Sequence, residues 1–282
     1  MIELSIQIEG QNGLNWPRWK NIVAAVEETG FAALYRSDHF TNPSPPDQDS
    51  LEMIVSLAYL ADHTQRIQFG PLVAPLSFRD PIFLARQAAA IDDLSNGRLI
   101  LGIGAGWQER EHQHFGYDLN TLSTRMNRFE EGLEVIVNLL RSTEPITHTG
   151  TFYKLQDAIL LPHPQRPSGP RILIGGNGLK HTLPLAARYA DIWNSTFLSA
   201  DDFRNHSAQL DILLQKEGRP LESVKRTLFT NTDLTQNPES LLAEIRSYEA
   251  AGVQELVLWW HDFDDTDSLR RIGERILPQL QP

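Results

Sequence analysis

Four short segments of this sequence carry residue types whose spacing could do chemistry. Ser37–Asp38–His39–Phe40 sets a carboxylate beside an imidazole. Histidine titrates near neutrality and is the commonest proton carrier in catalysis. A neighbouring Asp-His pair is more often structural than catalytic, but a position at the end of a barrel strand reverses that balance. His39 is the candidate proton carrier, and Asp38 the residue that orients it or holds a bound ring. Gly175–Gly176–Asn177–Gly178 is the second segment. Glycines ahead of a helix let backbone N–H groups close around an anion, and the helix dipole adds partial positive charge. Lys180 and His181 are expected one turn into that helix.

The third segment, Gly102–x–Gly104–x–Gly106–Trp107, departs from the dinucleotide fingerprint, which is G-x-G-x-x-G opening a helix directly. Glycines here would let a planar ring approach the backbone, although close packing of strand on strand explains Gly102 equally well. The fourth, His112–x–His114, looks like half of a metal site. Positions i and i+2 of a helix face different ways, so these read as solvated histidines, and no metal is expected. Trp107, Trp193, Trp259 and Trp260 could line an apolar pocket or cap a core, and Trp259 reads as a cap.

These segments need elements to hold them. β-Branched runs alternate with amphipathic helices along the whole chain. Strands are read at Ile2–Ile8, Phe31–Ser37, Arg66–Leu72, Arg98–Ile103, Arg171–Ile174, Asp191–Asn194, Ser223–Thr230 and Glu255–Trp259. Each is followed by a helical pattern. Trp16, Trp19, Val23 and Val26 share one helical face, as do Met126, Phe129, Leu133, Ile136 and Leu140. Asp80–Pro81 is an N-cap followed by a first helical position. The helix after the fifth strand is read over Leu179–Tyr189. Strict βα alternation implies a parallel sheet, and eight units favour closure. The expected fold is α/β, a single (β/α)8 TIM barrel spanning 1–282 as one domain. A hairpin around His148–Leu155 is expected as a loop insertion between strands 4 and 5. The chemistry-bearing segments then fall at strand C-termini, where barrel enzymes build their sites.

Composition narrows the function. The 282 residues include no cysteine, which excludes disulfides and thiolate chemistry and fits a cytoplasmic location. The net charge of −11 repels phosphate backbones, so nucleic acid is not an expected partner. No apolar run reaches the roughly 18 to 20 residues of a membrane span, and no signal peptide is read at the N-terminus.

Taken together, the segments resemble the luciferase-like flavin- and F420-dependent oxidoreductases. The resemblance runs through Arg36–Ser37–Asp38–His39–Phe40, Phe78–Arg79–Asp80–Pro81, Leu94–Ser95–Asn96–Gly97–Arg98, Gly102–Ile103–Gly104–Ala105–Gly106–Trp107, Phe152–Tyr153 and Ile172–Leu173–Ile174–Gly175–Gly176. Arg-Ser-Asp-His followed by Gly-Ala-Gly-Trp is most similar to a subgroup presumed to use F420. The resemblance implies coenzyme F420, with FMN as the alternative. It implies a ring lying over a non-proline cis peptide, by position Leu72–Val73. Asp38 and His39 would lie near the ring, Ala105, Gly106 and Trp107 would flank it, and Gly175, Gly176 and Asn177 would hold the phosphate. It also implies a homodimer through the second and third helices. In the sugar-phosphate dehydrogenase branch an acidic proton donor follows G-x-G-x-G. Trp107 stands there in this chain, which points to a small, more apolar substrate. The rival readings are an FMN-dependent monooxygenase, a non-catalytic flavin carrier and a metal-dependent hydrolase.

Overall fold

The computed structural model describes residues 1–232, 234 and 236–280. Eleven strands and nine α-helices are found among them. The strands are β1 Glu3–Ile8, β2 Ala33–Arg36, β3 Gln68–Pro71, β4 Ala74–Pro75, β5 Ile100–Gly104, β6 Ile146–Thr149, β7 Lys154–Ala158, β8 Arg171–Gly175, β9 Ile192–Thr196, β10 Lys225–Thr230 and β11 Glu255–Trp260. The helices are α1 Trp16–Thr29, α2 Met53–His63, α3 Pro81–Leu94, α4 Glu109–Phe115, α5 Leu122–Arg141, α6 Thr182–Tyr189, α7 Ala200–Lys216, α8 Pro238–Ala250 and α9 Thr266–Ile276.

All pairings in the large sheet are parallel, in the order β3-β2-β1-β11-β10-β9-β8-β5-β4. Strands buried on both faces read as near-continuous apolar runs, as β11 does, whereas β1 is buried from Leu4 to Ile8 with Ser5 and Gln7 alternating among its apolar residues. β3 and β4 are two halves of the third barrel strand. The first half pairs with β2 and the second with β5. Phe69 N–H donates to Arg98 O at 3.2 Å, which joins the two ends of the sheet. Between the halves, the peptide bond Leu72–Val73 is cis.

Two glycines make this seam possible. A Cβ on Gly70 would lie 1.8 Å from Ile100 O, and one on Gly102 would lie 2.0 Å from Pro71 O. No side chain fits where the backbones of the third and fourth barrel strands cross so closely.

The interior of the barrel is filled by Ala33, Tyr35, Ile100, Leu173, Ile192, Phe229 and Val257. A larger core lies between the sheet and the helices, anchored by Trp19, Phe31, Phe129 and Phe203. Helix starts follow the expected caps. Asp80 accepts from the N–H groups of Ile82 and Phe83, with Pro81 at the first position. β6 and β7 form an antiparallel hairpin between α5 and β8. Glu131 of α5 holds its turn by accepting from the N–H groups of Thr151, Phe152 and Tyr153.

Several boundaries differ from those read in the sequence. α6 begins at Thr182 rather than Leu179. Proline has no N–H and is tolerated only in a helix's first turn, and Pro184 occupies the third position of α6. Lys180 and His181 therefore precede the helix. They line a separate depression with Glu130 and Arg188, away from the barrel mouth. β2 ends at Arg36, so Ser37, Asp38 and His39 are already off the strand.

Candidate active site

A cavity of about 620 Å³ opens where the strands end. That lies within the usual range for organic ligands, about 300–1,000 Å³. Of the residues singled out in the sequence, His39, Leu72, Val73, Ala105, Gly106, Trp107, Gly175 and Gly176 line it. Asp38 and Asn177 do not.

His39 leaves the strand and turns into the cavity. Its Nδ1 lies 2.9 and 3.1 Å from the two carboxylate oxygens of Glu111, which is 1% exposed at the start of α4. Glu111 also accepts from Phe40 N–H at 3.0 Å, so its carboxylate is fixed from a second side. A carboxylate on Nδ1 orients the imidazole and leaves Nε2 as the nitrogen available for chemistry. Burial pushes His39 towards its neutral form. The hydrogen bond and charge of Glu111, with Glu9 and Asp38 further off, outweigh this and raise its pKa above the ordinary histidine value. Trp107, 60% exposed, meets the His39 ring edge-on at 5.5 Å.

The expected Asp38–His39 pair does not form. Arg79 forks onto Asp38, with Nε and Nη2 each 2.8 Å from a carboxylate oxygen. The same guanidinium reaches Glu52, the N-cap of α2, at 2.8 Å. A bidentate Arg–carboxylate pair is strong and directional, so it takes Asp38 out of the cavity.

The glycine loop also departs from expectation. Gly176 has φ +128, open to glycine, and its N–H donates to Asn194 O at 2.9 Å. Both ends of the Asn177 amide bond to the backbone of Thr196. The backbone N–H groups of Asn177 and Gly178 have no acceptor among the described residues. An anion at this loop would find its donors there. Gly104 and Gly175 serve the bulge instead. Added Cβ atoms would lie 2.4 and 3.0 Å from the methyl groups of Val73.

His112 is 1% exposed, which overturns its reading as solvated, whereas His114 is exposed as that reading expects. Its Nδ1 lies 2.7 Å from Gln108 O. Among the described residues, no three His, Asp or Glu side chains come together as a metal site.

The cavity also draws in residues that sequence reading passed over. Glu9, Gln11 and Asn12 follow β1, Phe229 lies in β10 and Phe197 follows β9. The strand-end rule points to the first three, since Ile8 closes a strand like any other. Phe197 carries no such signal. Its φ of +55 is a conformation that costs a bulky residue about 1–3 kcal/mol. Trp259 packs against the barrel interior and lines the cavity as well.

Residues 4–275 match the luciferase-like monooxygenase family, and the chain belongs to it. Among curated relatives, it is 28% identical to an F420-dependent glucose-6-phosphate dehydrogenase of Amycolatopsis mediterranei (strain U-32), over 78% of this chain and 66% of that protein. It is 30% identical to the 4-hydroxyprotoasukamycin monooxygenase of Streptomyces nodosus subsp. asukaensis, over 61% of this chain and 45% of that protein. The chain thus spans less than two thirds of the length of these relatives. An F420-dependent secondary alcohol dehydrogenase solved with an F420-acetone adduct superposes with a TM-score of 0.88 at 15% identity, over 100% of this chain and 99% of that one.

Proposed function

We propose that this protein is an F420-dependent oxidoreductase that exchanges a hydride between F420 and a small organic substrate. The observation that carries the reading is His39, held by buried Glu111 through Nδ1 and lining the cavity. Hydride exchange at a carbon bearing oxygen moves a proton as well, and His39 Nε2 would accept or return it.

The residues present fit a flat cofactor. Ala105 and Gly106 add little or no side chain to the cavity, and Leu72–Val73 forms a step beside them. Leu72, Val73, Ala105, Gly106 and Trp107 would bound the ring, and the free amides of Asn177 and Gly178 would receive its phosphate. When bound, F420 supplies a two-electron acceptor or donor that reacts poorly with oxygen. Choice of F420 over FMN is supported by Arg36–Ser37–Asp38–His39 with Gly104–Ala105–Gly106–Trp107, and by the named F420-dependent relatives.

The test is a fluorescence titration of the purified protein with F420 and with FMN at equal ionic strength. Tighter binding of F420 is the expected result. Tighter binding of FMN overturns it in favour of the flavin monooxygenase reading.

A further inference from the structure

The cavity has an aromatic wall built from three elements. The ring centroid of Phe197 lies 5.0 Å from that of Phe229 and 6.3 Å from that of Trp259, and the last two lie 5.9 Å apart. Phe197 stands out within this wall. It is 51% exposed and sits in the left-handed region, φ +55, directly after β9. A bulky residue stays there only when its surroundings over-determine the backbone.

The surroundings can be named. Asn177 brackets the preceding residue. Its Nδ2 donates to Thr196 O at 2.8 Å, and its Oδ1 accepts from Thr196 N–H at 2.9 Å. Phe197 N–H then donates to Phe229 O at 2.8 Å. Three hydrogen bonds thus fix the backbone into Phe197. The charge lining the cavity is also one-sided. Glu9 and Glu111 contribute carboxylates, and no lysine or arginine lines it among the described residues. A phosphate or carboxylate on the substrate would find no lysine or arginine there, and His39 is already paired with Glu111.

We propose that Phe197 determines specificity by limiting the size of an uncharged organic substrate, and that Asn177 is a positioning residue acting on it through the Thr196 backbone. The side-chain amide of Asn177 is not a ligand of the cofactor phosphate. The inference rests on reading this cavity as a hydride-exchange site.

Phe197→Gly deletes the ring while keeping a residue at ease with positive φ, and Asn177→Ala deletes the bracket. Phe197→Leu serves if the glycine variant fails to fold. Two measurements decide the matter. One is kcat/KM with F420 for 2-propanol, cyclohexanol and 1-phenylethanol. The other is saturation-transfer NMR of the same alcohols on the cofactor-free protein. Phe197→Gly is expected to raise the preference for 1-phenylethanol over 2-propanol about tenfold, and Asn177→Ala to move it severalfold the same way. F420 affinity should stay within about twofold in Phe197→Gly, whose side chain is not assigned to the cofactor. An unchanged size preference in the Phe197 variant overturns the proposal. So does loss of F420 affinity without a change of preference in Asn177→Ala. If the wild-type protein binds no F420, the functional reading falls and the NMR ratio alone decides. A shifted ratio then supports the aromatic wall, and an unshifted ratio, or no contact from any alcohol, removes it.

Discussion

Proton movement at His39 turns on which ring nitrogen is free. The sequence makes His39 legible because it follows a strand. It does not show Glu111 as its partner, since that residue lies 72 positions further along the chain. Asp38 looks like the partner in the sequence and is held by Arg79 instead, because adjacency along a chain says nothing about where two side chains turn. If His39 carries the proton, His39→Ala lowers kcat by about 10²- to 10⁴-fold while F420 affinity changes far less. Glu111→Gln removes the charge that outweighs burial, so the His39 pKa should fall. NMR titration of its Cε1 proton measures this, and an unmoved pKa would remove Glu111 from the role. The sign for stability follows from the same shift. A histidine whose pKa is raised by folding stabilises fully below its unfolded value, about 6.5, and that contribution disappears as pH rises through the higher folded value. Urea midpoints of wild type minus Glu111→Gln should therefore shrink on the alkaline side. Asp38→Ala should destabilise the fold by about 1–3 kcal/mol, since it strips Arg79 of its forked partner. Denaturation at neutral pH checks this.

At the scale of elements, alternation and period give the strands, the helices and their order, because those depend on which face is buried. What periodicity misses is the interruption of the third barrel strand and the start of α6. The first depends on the fit of Val73 between Gly104 and Gly175, a contact between distant segments. The second is readable from Pro184 once its missing N–H is counted. Gly104→Ala would put a methyl group 2.4 Å from Val73 Cγ2. It is expected to cost about 1–3 kcal/mol by overpacking and to weaken ring binding as the step moves. Equal cofactor affinity in a folded Gly104→Ala protein would detach the step from the ring. Gly178→Asp sets a carboxylate beside the two free amides, with only the Thr182 hydroxyl to displace. It should weaken F420 binding about ten- to a hundredfold, measured by the same fluorescence titration.

At the scale of the molecule, charge opposes the proposed cofactor. A net charge of −11 repels an anionic ligand at long range, and salt screens it within about 8–10 Å. The association rate of F420 should therefore rise as ionic strength increases from low values, as stopped-flow fluorescence would record. A fall would place a local cationic steering site at the mouth. Phe83 and Val55, 65% and 54% exposed on α3 and α2, sit where the family resemblance implies a homodimer. If that face is the interface, Phe83→Lys lowers the mass measured by light scattering from dimer to monomer. Closure of the barrel has one more consequence. β1 pairs with β11 from Glu3↔Glu255 to Ile8↔Trp260, so β1 is completed by a strand made much later. During synthesis β1 carries a bare edge until β11 has emerged. Such an edge is a template for another nascent chain. The seam that completes the ring thus also sets how long each new copy stays open to mispairing.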